Sequence, residues 1–298
     1  MSFAARQAPP PGALVLDHVA HFVDDLGAAG ALLEALGFAV TPRSDHYSAG
    51  APLGASNRCV MLESGYLEFL SPTHDTPHAQ RLRALMARYP GVHLACFGTP
   101  DAPAEQRRLQ AHGFVPQPLV DLEREVEGGA VARFQVVRPT AEAMPEGRVQ
   151  YVRQVTPEHL WRPKYVAHAN GVRSLDALYV VADDVPAAAA RWARFAALLP
   201  QAADDGVVLE TARGRVVIAT REALSRTLGD APPAPALAGC ALGCRDAAAF
   251  AERCAAAGLA VRKNAGSFSV SLPPSLGGAW VLTNAGDLKR EAERIARA

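Results

Sequence analysis

Several features are scarce in this chain of 298 residues, and each absence excludes a class of protein. The five cysteines are odd in number and lack CxxC spacing, so neither a disulfide framework nor a thiolate zinc site is expected. No GxGxxG or Walker pattern occurs, which argues against a dinucleotide-binding or phosphate-binding loop. The formal net charge is zero, so neither a nucleic acid nor an anionic membrane is expected as a partner.

The beginning of the sequence also lacks an apolar stretch. Residues 1–12 contain several prolines and one arginine but no hydrophobic core, so they predict neither a signal peptide nor a membrane span. Together with the scattered cysteines, this indicates a cytoplasmic protein. The expected partner is a small-molecule substrate or ligand, and a homodimer is left open.

What the sequence does contain is a repeat. Residues 16–23 and 91–98 read as strands that carry a histidine, and each leads through a turn with an aspartate into a helix. Residues 175–185 match residues 16–26 almost position for position, and residues 240–244 open a weaker fourth copy. In three copies a glycine ends the helix. We therefore expect four related units that begin near residues 14, 91, 174 and 236.

Each unit continues with short segments whose β-branched and aromatic residues predict strands. These segments cover residues 39–42, 58–62, 66–70, 131–138, 149–155, 207–210, 215–219, 260–262, 267–272 and 279–282. The helices are expected over residues 27–36 and 186–199, with the other two ending at residues 112 and 257. The predicted fold class is α+β, with four βαβββ modules paired into two open-barrel halves, mixed sheets and the helices outside.

This pattern divides the chain into an N-terminal half, residues 1–165, and a degenerate C-terminal half, residues 174–286. A charged helix is predicted over residues 287–298. The linker between the halves holds Trp161 and Tyr165. We expect it to pack against both halves, because large aromatic rings are unfavourable in water.

Short motifs resemble the vicinal oxygen chelate superfamily, which includes glyoxalases, bleomycin-resistance proteins and extradiol dioxygenases, and within it the glyoxalase-like domain proteins. The resemblance is carried by LDHV at residues 16–19, LGF at 36–38, GASNR at 54–58, YLEFL at 66–70 and GVH at 91–93. It covers the first 165 residues well and the rest in outline. It implies paired units wrapped into an open barrel, with a divalent metal held by the first and last strands of the units.

Carried over residue by residue, the resemblance assigns the metal to His18, Glu68 and His93. Strand alternation agrees, because only one of His18 and His21 can face the hollow. Two imidazoles and a carboxylate suit iron(II), manganese, nickel or zinc, and ligand type does not choose among these metals. The fourth position holds Gln150, where many metal-binding relatives have glutamate, and this argues against glyoxalase-I chemistry.

Other side chains near the predicted hollow are candidates for binding or catalysis. The candidates for substrate binding are His46, Asn57, Arg58 and Gln150. The candidates for catalysis are Glu68, Tyr66 and Tyr151. Core packing is an equal alternative for both tyrosines, and Glu68 could instead pair with Arg58.

Two functions remain open. The first is a metal-dependent lyase, isomerase or dioxygenase whose substrate chelates the metal through neighbouring oxygens. The second is a binding or resistance-type protein that sequesters a small ligand. A comparison within the chain favours chemistry in the first half, because Ala177 and Cys240 stand at the position of His18 in copies three and four, and Val217 at that of Glu68 in copy three. The fold therefore does not require polar residues there, and burying them without a partner is unfavourable.

Overall fold

The computed structural model describes residues 2–285, and within them four β-α-β-β-β units follow one another, as the repeat predicts. The first unit contains β1 (Val15–Phe22), α1 (Leu26–Ala35), β2 (Ser44–Ser48), β3 (Ala51–Met61) and β4 (Tyr66–Pro72). After helix α2 (Pro77–Met86), the second unit contains β5 (Gly91–Gly98), α3 (Ala102–Ala111), β6 (Val120–Val126), β7 (Ala130–Val137) and β8 (Arg148–Gln154).

The second half repeats this arrangement after the short helix α4 (Pro163–Val166). The third unit contains β9 (Val172–Val181), α5 (Val185–Ala196), β10 (Gln201–Ala203), β11 (Gly206–Glu210) and β12 (Arg215–Ala219). After α6 (Arg221–Leu228), the fourth unit contains β13 (Ala236–Cys244), α7 (Ala247–Ala256), β14 (Ala260–Asn264), β15 (Ser267–Ser271) and β16 (Ala279–Asn284). The helix predicted over residues 287–298 lies outside the described residues. None of the helices within residues 2–285 is long and apolar enough to cross a membrane.

The aspartate in the turn of each unit caps the helix that follows it. Asp25, Asp101, Asp184 and Asp246 each accept a hydrogen bond from a backbone N–H in the first turn of α1, α3, α5 and α7. Such caps satisfy amide groups that have no partner within the helix. The same turn chemistry therefore fixes where the outer helix of every unit begins.

The strands of the first half form a closed barrel in the order β1-β4-β3-β2-β6-β7-β8-β5. The barrel closes because β2 pairs with β6 through Tyr47 and Glu123, and β1 pairs antiparallel with β5. The resemblance implied an open barrel, and the sequence patterns did not identify β2 or β6 as strands. The predicted strand over residues 39–42 is wrong, because these residues instead form a connection that lies against β3, where Thr41 accepts a hydrogen bond from the Cys59 amide.

The strands of the second half form an open sheet in the order β10-β11-β12-β9-β13-β16-β15-β14. Helix α6 packs against one face of this sheet, where Leu224 and Leu228 belong to a cluster that contains Ala177, Tyr179 and Val281. Small apolar residues and a helix therefore fill the space that the barrel of the first half leaves open.

The two halves share one hydrophobic core. Its largest side chains include Phe69 and Phe97 from the outer face of the barrel and Trp192, Phe195 and Trp280 from the second half. The linker between the halves contributes to the inner side of the barrel wall. Its buried Trp161 belongs to the hydrophobic cluster of the barrel interior and donates a hydrogen bond to the Leu62 carbonyl.

Candidate active site

A cavity of about 310 Å³ lies inside the N-terminal barrel, at the lower end of the range for small-molecule sites. Its apolar wall includes Leu70, Leu94, Phe134, Val136 and Val152. Its polar wall includes His18, His46, Asn57, Tyr66, Glu68, His78, Arg81, Arg124, Arg138, Arg148 and Gln150. The cavity is therefore amphipathic and rich in cationic side chains.

His18 projects from β1 into this cavity, while His21 projects to the opposite face, as strand alternation predicts. The Nδ1 atom of His18 lies 2.7 Å from the Oδ1 atom of Asp17, and its ring stacks on Tyr66 at a centroid distance of 4.3 Å. Burial alone would lower the pKa of His18, but contacts with Cys96 and Asp17 outweigh it and hold the pKa well above its ordinary value. These contacts favour the charged form of the imidazole, and its Nε2 atom is directed toward Glu68 in the cavity.

Glu68 lies beside this imidazolium on the neighbouring strand, β4. Its Oε2 atom is 3.7 Å from Nε2 of His18, and its Oε1 atom accepts a hydrogen bond from Asn57 at 2.6 Å. Burial opposes ionisation of Glu68, but His18, His46, Asn57 and Arg124 together lower its pKa. The carboxylate is thus ionised and fixed in orientation, with the imidazolium close by.

His46 stands on the other side of the same carboxylate. Its Nε2 atom is buried without a hydrogen-bond partner and lies 3.8 Å from Oε1 of Glu68. Burial lowers the pKa of His46 to about 4, so this ring is neutral at pH 7. Glu68 is therefore placed between one charged and one neutral imidazole.

The structure brings together six of the residues that the sequence singled out. They are His18, His46, Asn57, Tyr66, Glu68 and Gln150. All six line one cavity, although they come from strands β1, β2, β3, β4 and β8. Which of them bind or react with a substrate stays a prediction.

His93, the predicted third ligand, is not among the residues that line the cavity. Strand pairing gives the reason. Ala20 pairs with Glu68 and Cys96 pairs with Gln150, so the structural counterpart of His18 on β5 is Leu94, one residue beyond His93. A slip of one residue turns a side chain to the other face of a sheet. His93 instead lies 2.7 Å, through Nε2, from the Tyr89 carbonyl, with its ring against that of Tyr89.

Tyr151 and Arg58 also point away from the cavity. The Tyr151 hydroxyl donates to the Phe195 carbonyl at 2.6 Å and accepts from Arg108, so this side chain belongs to the contact between the halves. Arg58 pairs with Glu34 on α1 at 2.7 Å and not with Glu68. Cys240, the fourth-copy counterpart proposed for His18, packs in the core that the two halves share and not in the cluster under α6.

The sequence interpretation missed Asp17 and the arginines of the cavity. Arg148 could have been found, since it stands two residues before Gln150 and strand alternation puts both on one face. Arg138 could have been found in the same way, since it shares a face with Phe134 and Val136 in the strand predicted over residues 131–138, whereas Arg81 had no comparable signal because α2 was not predicted. Asp17 is next to His18 in sequence, but its side chain must turn along the strand to reach that ring.

The predicted ligand set of His18, Glu68 and His93 does not fit the divalent metal that the resemblance implies. Within residues 2–285, no three His, Cys, Asp or Glu side chains are arranged to hold a metal ion. His93 lies elsewhere, and the Gln150 side-chain oxygen accepts a hydrogen bond from Arg148 at 3.0 Å. The surrounding arginines also make the cavity unfavourable for an added cation, because like charges repel strongly where water is scarce.

Comparison with solved structures finds the same overall fold in several proteins. A hypothetical protein from Staphylococcus aureus aligns at 12% identity over 91% of this chain and 99% of its own, with a TM-score of 0.64. A triple mutant of 4-hydroxymandelate synthase from Streptomyces coelicolor aligns at 12% identity over 91% and 93%, with a TM-score of 0.55. A fusion of a xylose isomerase-like TIM barrel and 4-hydroxyphenylpyruvate dioxygenase aligns at 15% identity over 97% of this chain but 53% of its own, with a TM-score of 0.56.

The sequence itself matches a family profile. Among curated proteins no match was found. Residues 16–196, more than half of the chain, match the profile described as a glyoxalase-like domain. This confirms the resemblance stated from the short motifs, and the structural likenesses agree with it in fold. The chain therefore belongs to the glyoxalase-like domain family.

Proposed function

We propose that the N-terminal barrel is the active site of an enzyme that transfers a proton on a small carbonyl substrate. The proposal rests on one arrangement, a His18 imidazolium held by Asp17 and placed 3.7 Å from the Glu68 carboxylate inside a cavity. An ionised carboxylate and a charged imidazole in one enclosed site can act as base and acid on the same molecule.

In this proposal Glu68 is the base and His18 the acid. Glu68 takes a proton from the carbon next to the carbonyl group, and the electron pair of that C–H bond forms a carbon–carbon double bond. His18 gives its proton to the carbonyl oxygen, so a neutral enol results and no charge accumulates. Where the carbon that lost the proton carries a hydroxyl group, Glu68 returns its proton to the former carbonyl carbon, the hydroxyl proton passes to His18, and a new carbonyl group completes an isomerisation. Asp17 keeps the His18 ring in position and favours its charged form.

The other functions give different results in the same experiments. A metal-dependent enzyme, as the sequence predicted, would need a metal held by His18 and Glu68 with His46 in place of His93. A sequestering protein would bind a ligand in the cavity without any reaction. The experiment must therefore measure chemistry, metal content and binding on the same samples.

The test is hydrogen–deuterium exchange at carbon, followed by NMR, with a panel of small aldehydes, ketones and 2-oxo acids in D₂O. The wild-type protein should catalyse exchange in at least one compound without added metal. His18→Gln and Glu68→Gln should each lower the rate by roughly 10²- to 10⁴-fold. His112→Gln, a change at an exposed helix end, should have no effect.

Three results would contradict the proposal. One is exchange that continues at the wild-type rate in both cavity variants while circular dichroism shows a native fold. Another is exchange that requires a stoichiometric metal and is lost in His46→Ala, which would favour the metal-dependent enzyme. The third is tight ligand binding with no exchange in any compound of the panel, which would favour sequestration.

A further inference from the structure

One end of the cavity contains three arginines without acidic partners. Arg148 uses Nε to donate to Gln150, Arg138 uses Nε to donate to Gln117, and Arg81 reaches the same cavity from α2. Within residues 2–285, none of the three lies within salt-bridge distance of a carboxylate, and the ion pair near the start of α2 is formed by Arg83 with Asp75. The cluster therefore presents positive charge to the cavity that the described part of the chain does not neutralise.

The carboxylates of the cavity are engaged elsewhere. Glu68 faces His18 and His46 and acts on Arg148 only at longer range, and Glu123 lies 3.9 Å from Arg133. Burial, followed by the charge of Arg138, lowers the pKa of Arg148 to about 9. Burial and the surrounding arginines likewise lower the pKa of His78 to about 2. Guanidinium groups that repel one another are stabilised when an anion binds between them.

Strand register gives the separation between this cluster and the acid–base pair. Leu94 pairs with Arg148 across β5 and β8, while Cys96, two residues further on, pairs with both His18 and Gln150. Two residues along a strand span roughly 6–7 Å. A ligand that reaches from Arg148 to His18 therefore passes Leu94, while Val152 and Phe134 line the cavity beyond the level of His18.

We propose that the substrate is an organic carboxylate with an apolar body, whose carboxylate binds Arg148, Arg138 and Arg81 and whose reactive carbon lies beside His18 and Glu68. This inference rests on the proposed function, since it names the substrate class of the same site. Arg148 is the central contact, because it borders the cavity next to Gln150 and its remaining N–H groups are available for a bidentate interaction.

The test is isothermal titration calorimetry with phenylacetate, its neutral analogue phenylacetamide, and inorganic phosphate. Phenylacetate should bind the wild-type protein at least about tenfold more tightly than either of the others, because only phenylacetate supplies both the charge and the apolar body. Arg148→Gln should weaken phenylacetate binding by about tenfold or more. Arg153→Gln is the matched control, since Arg153 lies on the same strand but is exposed outside the barrel and bonds Gln135.

Thermal unfolding of each variant shows whether the fold is retained. Arg148→Gln should unfold at the wild-type temperature or above, since it removes a buried cation without an acidic partner. The inference is overturned if phenylacetamide or phosphate binds as tightly as phenylacetate, if phenylacetate does not bind at millimolar concentration, or if Arg153→Gln weakens binding as much as Arg148→Gln.

The same titrations separate this inference from the proposed function. His18→Gln should keep phenylacetate binding within about threefold of wild type, because His18 contacts the reactive end and not the carboxylate. If Arg148-dependent binding is found but no variant of His18 or Glu68 affects proton exchange, the substrate class stands and the proposed chemistry fails. If exchange depends on His18 but is as fast with neutral ketones as with 2-oxo acids, the chemistry stands and the substrate class fails.

Discussion

The Nε2 atom of His18 lies 3.7 Å from the Oε2 atom of Glu68, although the two residues do not pair directly across their strands. His18 pairs with Tyr66, and Ala20 pairs with Glu68, so the contact is diagonal between β1 and β4. Tyr66 stacks on the imidazole and keeps it tilted toward Glu68. The charge state of His18 is therefore the first property to measure.

NMR of the His18 ring should give a titration midpoint above its ordinary value of 6.5, since Cys96 and Asp17 outweigh the effect of burial. A raised pKa in the folded state stabilises the protein fully below the unfolded pKa, and this stabilisation is lost as the pH rises through the folded pKa. The free energy of unfolding should therefore fall with rising pH above 6.5 more steeply in wild type than in His18→Gln. Equal slopes in urea titrations would contradict the assignment.

Asp17→Asn should lower the pKa of His18 and slow proton exchange by roughly 10²-fold or more, because the amide neither holds nor stabilises the imidazolium as the carboxylate does. Asp17 positions His18 and does not touch the substrate, so the pH profile of the rate should shift toward lower pH. Asp24→Asn provides an exposed control at the end of the same strand. An unchanged pH profile in Asp17→Asn would show that the carboxylate has only a structural role.

His93→Phe should destabilise the protein without changing ligand binding. The variant loses the hydrogen bond to the Tyr89 carbonyl, and leaving that buried group unsatisfied costs about 1–3 kcal/mol. The phenyl ring can still pack against Tyr89 and Phe22. Urea unfolding and phenylacetate titration measure the two effects separately. A loss of proton exchange in the folded variant would contradict this placement and indicate that His93 contributes to the active site.

Tyr151→Phe should likewise affect stability and not catalysis. Its hydroxyl bridges Arg108 and the Phe195 carbonyl at the contact between the halves, and its removal should lower the free energy of unfolding by about 1–2 kcal/mol. The stacked contact with Phe195 at 4.7 Å remains in the variant. Tyr66→Phe is the comparison, since that ring lines the cavity. A larger loss of activity in Tyr151→Phe than in Tyr66→Phe would disagree with this placement.

The sequence predicted the four units because each contains its own local signals. Capping aspartates such as Asp25 and glycines such as Gly37, which has a φ of +87°, act within a few residues and fix the helix ends. Strands β2 and β6 were not recognised, since they carry mostly polar residues and acquire their role by closing the barrel. Local patterning does not contain that information.

The site was predictable only where it depended on strand alternation. His18 and Glu68 were placed correctly on the inner face, because residues of alternating character surround each of them. His93 was not, because the pairing of β1 and β5 shifts register between Ala20 and His21. A repeat in the sequence aligned two histidines that the sheet places on different faces. Register is a property of two strands together, and neither strand specifies it alone.

The packing of α6 against the second sheet has a consequence for which substitutions each half of the chain can accept during evolution. At inward positions of the barrel, selection would act on chemical identity, so that imidazole, carboxylate and guanidinium groups persist across descendants of this chain. At Ala177 and Val281, selection would act on volume, and apolar residues of similar size could replace them. The two halves share one repeated architecture but would be under different selection, for chemical reactivity in the barrel and for side-chain volume in the second sheet.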